Sequence, residues 1–174
     1  MSRKKMIKLE LISEKPDWLR KIAEWRTEER AILLTDGPTS VDRQIEWVKS
    51  INSSHFFFIV KSQKSVTGEY YDELVGYCGL IKIRPVPGIA ELSILVDPAK
   101  KRQRIGSLAV AHLLGIAFNE LNLKTVYVEA YTNSKRWEFF ESMGFEKEGT
   151  HRNTKYFNGR YYHSIRGSIT REDT

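Results

Sequence analysis

The sequence holds a single cysteine, Cys78, so neither an internal disulfide framework nor a multi-thiolate metal site can form. A reducing cytoplasm is the expected compartment. His55, His151 and His163 show no metal-ligand spacing, His112 reads as a structural or surface residue on a helix, and no metal is expected. No stretch approaches the ~18 uncharged apolar residues of a membrane span. The opening Met1-Ser2-Arg3-Lys4-Lys5 is followed by Lys8 and Glu10 instead of an apolar run, so a secretory signal peptide is not expected. Five prolines and 11 glycines are too few for a fibrous or low-complexity chain, and there is no internal repeat.

What is there reads as one globular domain over residues 1–174. At that length about two thirds of the unfolded surface disappears on folding, enough for a core without staples. The composition, 41% hydrophobic, 29% charged and 11% aromatic, argues against disorder. Lys plus Arg number 28 against 22 Asp plus Glu, a formal charge of +6. Part of that surplus is concentrated: residues 100–104 read Lys-Lys-Arg-Gln-Arg. Such a cluster can be a solvated face, a nucleic-acid contact or a phosphate site.

Ile7 to Ile12 alternates as a half-buried strand. Pro16 suits a helix's first turn, and Leu19, Ile22 and Trp25 follow at helical spacing. Thr39 or Ser40 caps a second helix bearing Val41, Ile45 and Val48. His55 to Val60 is nearly continuous apolar sequence, the pattern of a central strand. Residues 62–72 are polar and read as a long hairpin connection, after which Glu73 to Ile83 alternates again. Pro85 and Pro87-Gly88 mark a turn before a strand from Gly88 to Val96. A helix then runs from about Ile105 to Leu121, and Lys124 to Tyr131 is a strand with Val126, Val128 and Ala130 on one face. Asn133 caps a further helix with Trp137, Phe140 and Met143 on one side, stopped by Gly144. Two last strands, about 145–156 and 161–170, are joined by Asn158-Gly159, a strong hairpin signal. The order describes a mixed α/β domain.

The basic cluster lies in Val96 to Ser107, between a strand and a helix. Backbone amides in such a turn, with the helix N-terminus, form a concave anion site. Lys101, Arg102 and Arg104 make phosphate or pyrophosphate its natural ligand, and an anion would relieve the mutual repulsion of Lys100, Lys101 and Arg102. This segment resembles the Gcn5-related N-acetyltransferase (GNAT) family, whose pattern is roughly Val-x-Pro-x-x-Arg-Gly-x-Gly-Ile-Gly-Thr. The resemblance extends to Ala90-Glu91-Leu92, to Asn133 and to Glu141-Ser142-Met143-Gly144-Phe145. Trp25-Arg26, the segment from Ser40 to Trp47 and Asn158-Gly159-Arg160-Tyr161 are most similar to the subgroup with ribosomal-protein N-terminal, spermidine and amino-sugar acetyltransferases.

The resemblance implies a mostly antiparallel sheet of about seven strands with a splayed central parallel pair, flanked by about four helices. It implies acetyl-coenzyme A as cosubstrate and a primary amine (protein N-terminus, polyamine or amino sugar) as acceptor, with direct attack in a ternary complex. Around the donor it places Leu95, Val96, Lys101, Arg102, Gln103, Arg104, Ile105, Gly106, Ser107, Asn133 and Arg136. A strand amide near Leu95 or Val96 serves the oxyanion, and Glu91 matches the family's general base. The chain also departs from the pattern. Lys101 stands at the family's arginine, Arg102 and Arg104 at two glycine positions, and Arg136 where a small residue is usual. Phe140 takes the place of a tyrosine that protonates the departing thiolate in many members, and phenylalanine has no proton to give.

Those departures motivate a second reading, a protein of the same fold without donor binding that acts as a binding or regulatory module. Nucleic-acid binding ranks third and needs a contiguous basic and aromatic patch. Cys78 reads as a small core residue, and Trp25, Trp47, Tyr156, Tyr161 and Tyr162 suit either packing or an acceptor cleft. No membrane partner is expected, and a homodimer is compatible with the sequence.

Overall fold

The computed structural model describes residues 7–35, 37, 39–66 and 69–173. Among them, seven strands form one sheet in the order β1-β2-β3-β4-β5-β7-β6. The strands are β1 Ile7–Leu11, β2 Phe56–Val66, β3 Glu69–Arg84, β4 Ile89–Val96, β5 Thr125–Tyr131, β6 Glu146–Phe157 and β7 Arg160–Thr170. Every neighbouring pair is antiparallel except β4 and β5. The helices are α1 Pro16–Glu28, a short α2 Arg30–Leu33, α3 Val41–Lys49, α4 Ile105–Gly115 and α5 Arg136–Ser142. After α4 the chain continues as a π-helical turn, Ile116–Glu120. This is the expected mixed α/β class, with the one parallel pair in the middle.

Alternation along the strands sends side chains to two separate cores. Val60, Cys78, Leu80, Ala90, Leu92 and Ile94 meet Ile105, Ala109, Val110 and Leu113 of α4 on one face. Leu19, Ile22 and Trp25 of α1 pack on Phe57, Ile59, Tyr77 and Leu95 on the other. Burying each such large side chain contributes roughly 1.5–3 kcal/mol. Trp47 of α3 joins the second core, its ring 4.7 Å from that of Phe57. Ser40 caps α3, its Oγ accepting from the Arg43 N–H at 3.2 Å. Asn158 and Gly159 take φ of 46° and 83°, the left-handed pair that a two-residue hairpin turn demands.

Three expectations need correction. The apolar run 55–60 is not at the sheet's centre: β2 lies between β1 and β3, one strand in from the edge. It lacks alternation because both of its faces are covered, Phe57 and Ile59 on one side and Val60 on the other. Residues 62–72 are not a loop. β2 runs to Val66 and β3 starts at Glu69, paired through Ser62↔Glu73, Gln63↔Asp72 and Lys64↔Tyr71. Alternation reports burial on one face, and Gln63, Glu69, Tyr71 and Asp72 of this ribbon are exposed, so pairing left no hydrophobic signature. Residues 67 and 68 of the expected connection lie outside the described residues. Finally, Asn133 does not cap α5. That helix starts at Arg136 with Lys135 at the N-cap and no side-chain cap. The Asn133 amide instead donates to the carbonyls of Ala31 at 2.5 Å and Ile32 at 3.5 Å, tying the turn before α5 to α2.

Candidate functional site

The central strands pair over three positions only, Ile89↔Thr125, Ala90↔Val126 and Glu91↔Tyr127, and then part. A cavity of about 610 Å³ opens beyond the fork. One wall is the end of β4 (Ile94, Leu95, Val96), a second is the basic loop with the start of α4, and a third is α5 with Ser134 and Lys135 before it. Glu29 and Ile32, at the junction of α1 and α2, close the remaining side.

The mouth is built from the loop and the helix it feeds. Arg102 and Arg104 have φ of 63° and 62°, left-handed backbone at the two positions where the family pattern carries glycine. A side chain there costs roughly 1–2 kcal/mol per residue, so the loop keeps its glycine-like path in spite of its sequence. Arg104 is the N-cap of α4 and offers no side-chain cap. The first N–H groups of that helix, at Ile105, Gly106 and Ser107, therefore have no intrahelical acceptor and keep the dipole's positive end at the cavity. A Cβ on Gly106 would sit 3.3 Å from the Phe139 ring, so the glycine lets α4 and α5 close on one another.

The four cations of the cluster are not equivalent. Lys100 is paired with Glu73 at 3.0 Å and Lys101 with the buried Glu29 at 2.6 Å. Their repulsion is relieved within the protein by Glu73 and Glu29, a correction to the expectation that an anion would relieve it. Arg102 and Arg104 are exposed and have no ion pair among the described residues. Gln103 is exposed and does not line the cavity.

The inner end is different. Asp97 N–H donates to Val75 of β3 at 2.9 Å, so Leu95, two residues back, also turns its backbone toward β3. Ile94 and Val96 face the gap. Of the two residues proposed for the oxyanion, Val96 thus turns its amide to the gap and Leu95 does not. The Ile94 carbonyl accepts a 3.0 Å hydrogen bond from Arg136 Nη2. Burial pushes the Arg136 pKa below its ordinary value, opposed by nearby Tyr77 and Glu29. Phe139 and Phe140 line the same wall. Two buried oxygens, Ser134 Oγ and Asn133 Oδ1, have no hydrogen-bond partner among the described residues.

Glu91 is not among the cavity-lining residues. It stands on the last paired position of β4, roughly 13 Å along the strand from Leu95. Its carboxylate forms an ion pair with Lys82 Nζ at 2.7 Å, and the nearby negative charge holds Lys82 above its ordinary pKa. Tyr127 beside it is raised by burial first and by Glu91 second. The carboxylate that does line the cavity is Glu29, which sequence reasoning missed because nothing at a helix C-terminus distinguishes it from a solvated acid. Burial pushes the Cys78 thiol well above its ordinary range, in keeping with a core residue. Trp25 is buried and Trp47 packs in the second core, while Tyr156 and Tyr161 stand exposed with rings 5.1 Å apart at the β6–β7 hairpin.

Residues 14–166 match the acetyltransferase (GNAT) domain. The chain belongs to the GNAT acetyltransferase family. Over 111 residues it is 28% identical to the spermidine N(1)-acetyltransferase of Vibrio cholerae, an alignment covering 63% of this chain and 60% of that protein. It is 26% identical over 110 residues to the Escherichia coli K12 spermidine N(1)-acetyltransferase, covering 63% and 59%. The chain thus spans about 60% of the length of these curated relatives. The crystal structure of the Vibrio cholerae enzyme in complex with CoA and spermine superposes with a TM-score of 0.82 at 22% identity, over 96% of both chains. A dodecameric structure of the same enzyme gives 0.76 at 24% identity, over 95% and 94%. These likenesses establish the GNAT fold. Among the described residues, no helix is long and apolar enough to cross a membrane, and no group of acidic, cysteine or histidine side chains could hold a metal ion.

Proposed function

We propose that this protein is an acetyl-coenzyme A-dependent N-acetyltransferase acting on a primary amine. The observation that carries the reading is the fork after Glu91 and Tyr127 with the uncapped start of α4 opening onto it. Coenzyme A supplies the acetyl group as a thioester. The residues present suit it: the Gly106 and Ser107 amides with Arg102 and Arg104 take the pyrophosphate. The unpartnered Ser134 Oγ in the cavity lining is an acceptor for an amide-bearing arm; Asn133 Oδ1, next to it in the chain but outside the lining, is a second one. The Val96 N–H donates to the acyl oxygen as charge develops there. Lys101, Ile105 and Leu95 shape the cleft without contributing a free charge, and Gln103 stands in the loop outside the lining. Glu91 acts as general base on the amine through water, since it stands at the fork and outside the cavity lining.

The two relatives named above support a polyamine as the first acceptor to test, while the +6 charge opposes a polycation and keeps protein N-termini and amino sugars in the panel. A homo-oligomer, at its simplest a dimer, working in the cytoplasm completes the proposal. Thiol release from acetyl-coenzyme A across an amine panel tests it. Amine-dependent release with one acceptor class supports the reading; no release with any amine rejects it. The competing binding-module reading draws on Arg136, which sits in the gap on the Ile94 carbonyl. It is favoured if coenzyme A does not bind at all.

A further inference from the structure

Acetyl transfer from a thioester puts negative charge into the cleft twice. The amine lone pair forms the C–N bond while the carbonyl π pair moves onto oxygen. When the carbonyl re-forms, the C–S bond breaks and its electron pair stays on sulfur. The surplus ammonium proton leaves to the base or to water, so the products are the amide, a thiolate and a proton.

The walls of the cavity offer these two charges different partners. On the β4 side the gap is faced by neutral backbone, with the Val96 N–H suited to the carbonyl oxygen. On the α5 side Arg136 and Phe140 stand one turn apart and both line the cavity. Phe140 has neither charge nor proton to offer. Arg136 keeps its charge at any working pH and makes one hydrogen bond among the described residues, to the Ile94 carbonyl, which leaves most of its five N–H groups without a protein acceptor. The groups facing it from other elements are Tyr77 on β3 and Glu29 after α1. Tyr77 already accepts from Arg26 at 2.8 Å, and Glu29 is held by Lys101 at 2.6 Å. Among the described residues, no carboxylate is paired with Arg136.

From this, and resting on the acetyl-transfer reading, we propose that the Arg136 guanidinium is the counter-charge for the thiolate that leaves coenzyme A. It replaces protonation of the sulfur with electrostatic stabilisation in a sheltered site, where a fixed charge acts far more strongly than in water.

The test is the ionisation of coenzyme A bound to the wild type, Arg136→Ala and Arg136→Lys, followed by the ultraviolet absorbance of the thiolate against pH. In the wild type the bound thiol titrates about 1–3 units below free coenzyme A, the effect of an opposite charge a few ångströms away. In Arg136→Ala it returns to the free value, and Arg136→Lys retains part of the shift. Turnover of Arg136→Ala falls at least tenfold with little change in KM for acetyl-coenzyme A. Should Arg136→Ala fail to fold, Arg136→Lys and Arg136→Gln carry the same comparison. Equal thiol titration in wild type and variants overturns the inference, as does tighter coenzyme A binding by Arg136→Ala with an unshifted thiol, which would make Arg136 a plug. Failure of coenzyme A to bind any of the proteins overturns the acetyl-transfer reading itself, and the inference with it.

Discussion

At the mouth of the cleft the positive charge is abundant and exposed; at its inner end it is single and sheltered. Arg102 and Arg104 project from a loop open to solvent, and Lys100 and Lys101 are already neutralised by Glu73 and Glu29. Exposed charges of this kind act within a Debye length of about 8–10 Å and weaken with salt. Arg136, at the start of α5, reaches the Ile94 carbonyl beyond the fork, where one guanidinium has little competition from water. Counting cations along the sequence therefore ranks the two ends in the wrong order. Shelter decides what a charge contributes to the chemistry, and the number of charges decides mainly how an anion is attracted.

The largest break in this comparison should come from the packing that holds α5. The Trp137 ring rests directly on Gly167 of β7, where any Cβ would fall inside the ring. Gly167→Val should destabilise the fold by about 3 kcal/mol through overpacking, and shift Arg136 with its helix. Thermal denaturation should show a drop of very roughly 6–12 °C. An unchanged melting temperature would mean that α5 is not anchored there.

At the mouth, Arg104→Ala should weaken coenzyme A binding by about 1–3 kcal/mol, as for a lost bond to a charged group. The wild-type affinity should fall more steeply with salt than the variant's. Arg104→Gly should lose the same affinity while stabilising the free protein by about 1 kcal/mol, because glycine relieves the left-handed backbone at φ 62°. Tighter binding by both variants in calorimetry would show that the arginine obstructs the loop.

Glu91→Gln should lower turnover by about tenfold near neutral pH, where an acceptor amine is mostly protonated, and less as pH rises. Identical pH profiles would remove Glu91 from the reaction. The same substitution should return the Lys82 pKa toward its ordinary 10.5. The raised value means that this pair stabilises the fold below the unfolded lysine pKa and loses that contribution as pH rises through the folded one. The smallest effect is expected from Glu29→Gln. It frees Lys101 for a ligand at a cost of about 1 kcal/mol in stability, and makes coenzyme A binding stronger and more salt-sensitive.

Much of the architecture was legible where burial wrote a pattern. The β4 and β5 alternation, the Ser40 cap, the Gly144 stop and the Asn158-Gly159 turn all appear where the residues predict them. The β2–β3 ribbon was not, because a hairpin exposed on both faces needs no apolar alternation. Of the site, the mouth was legible as a basic strand-to-helix turn, down to the two arginines at glycine positions. The inner end was less so. Asn133 looks like a cap in sequence but reaches back to α2, and Glu29 enters the cleft only because α1 ends there. Such placements depend on how distant elements pack, which local spacing does not encode.

The central claim is that the cavity between the parted strands and α4 holds an acyl donor by its pyrophosphate. Calorimetric titration of acetyl-coenzyme A into the wild-type protein at two salt concentrations, paired with thermal denaturation, tests it most directly. The account predicts saturable binding that weakens with salt, and a stabilisation of about 2.7 kcal/mol at a hundred times the Kd. No heat of binding and no thermal shift at millimolar donor would contradict it.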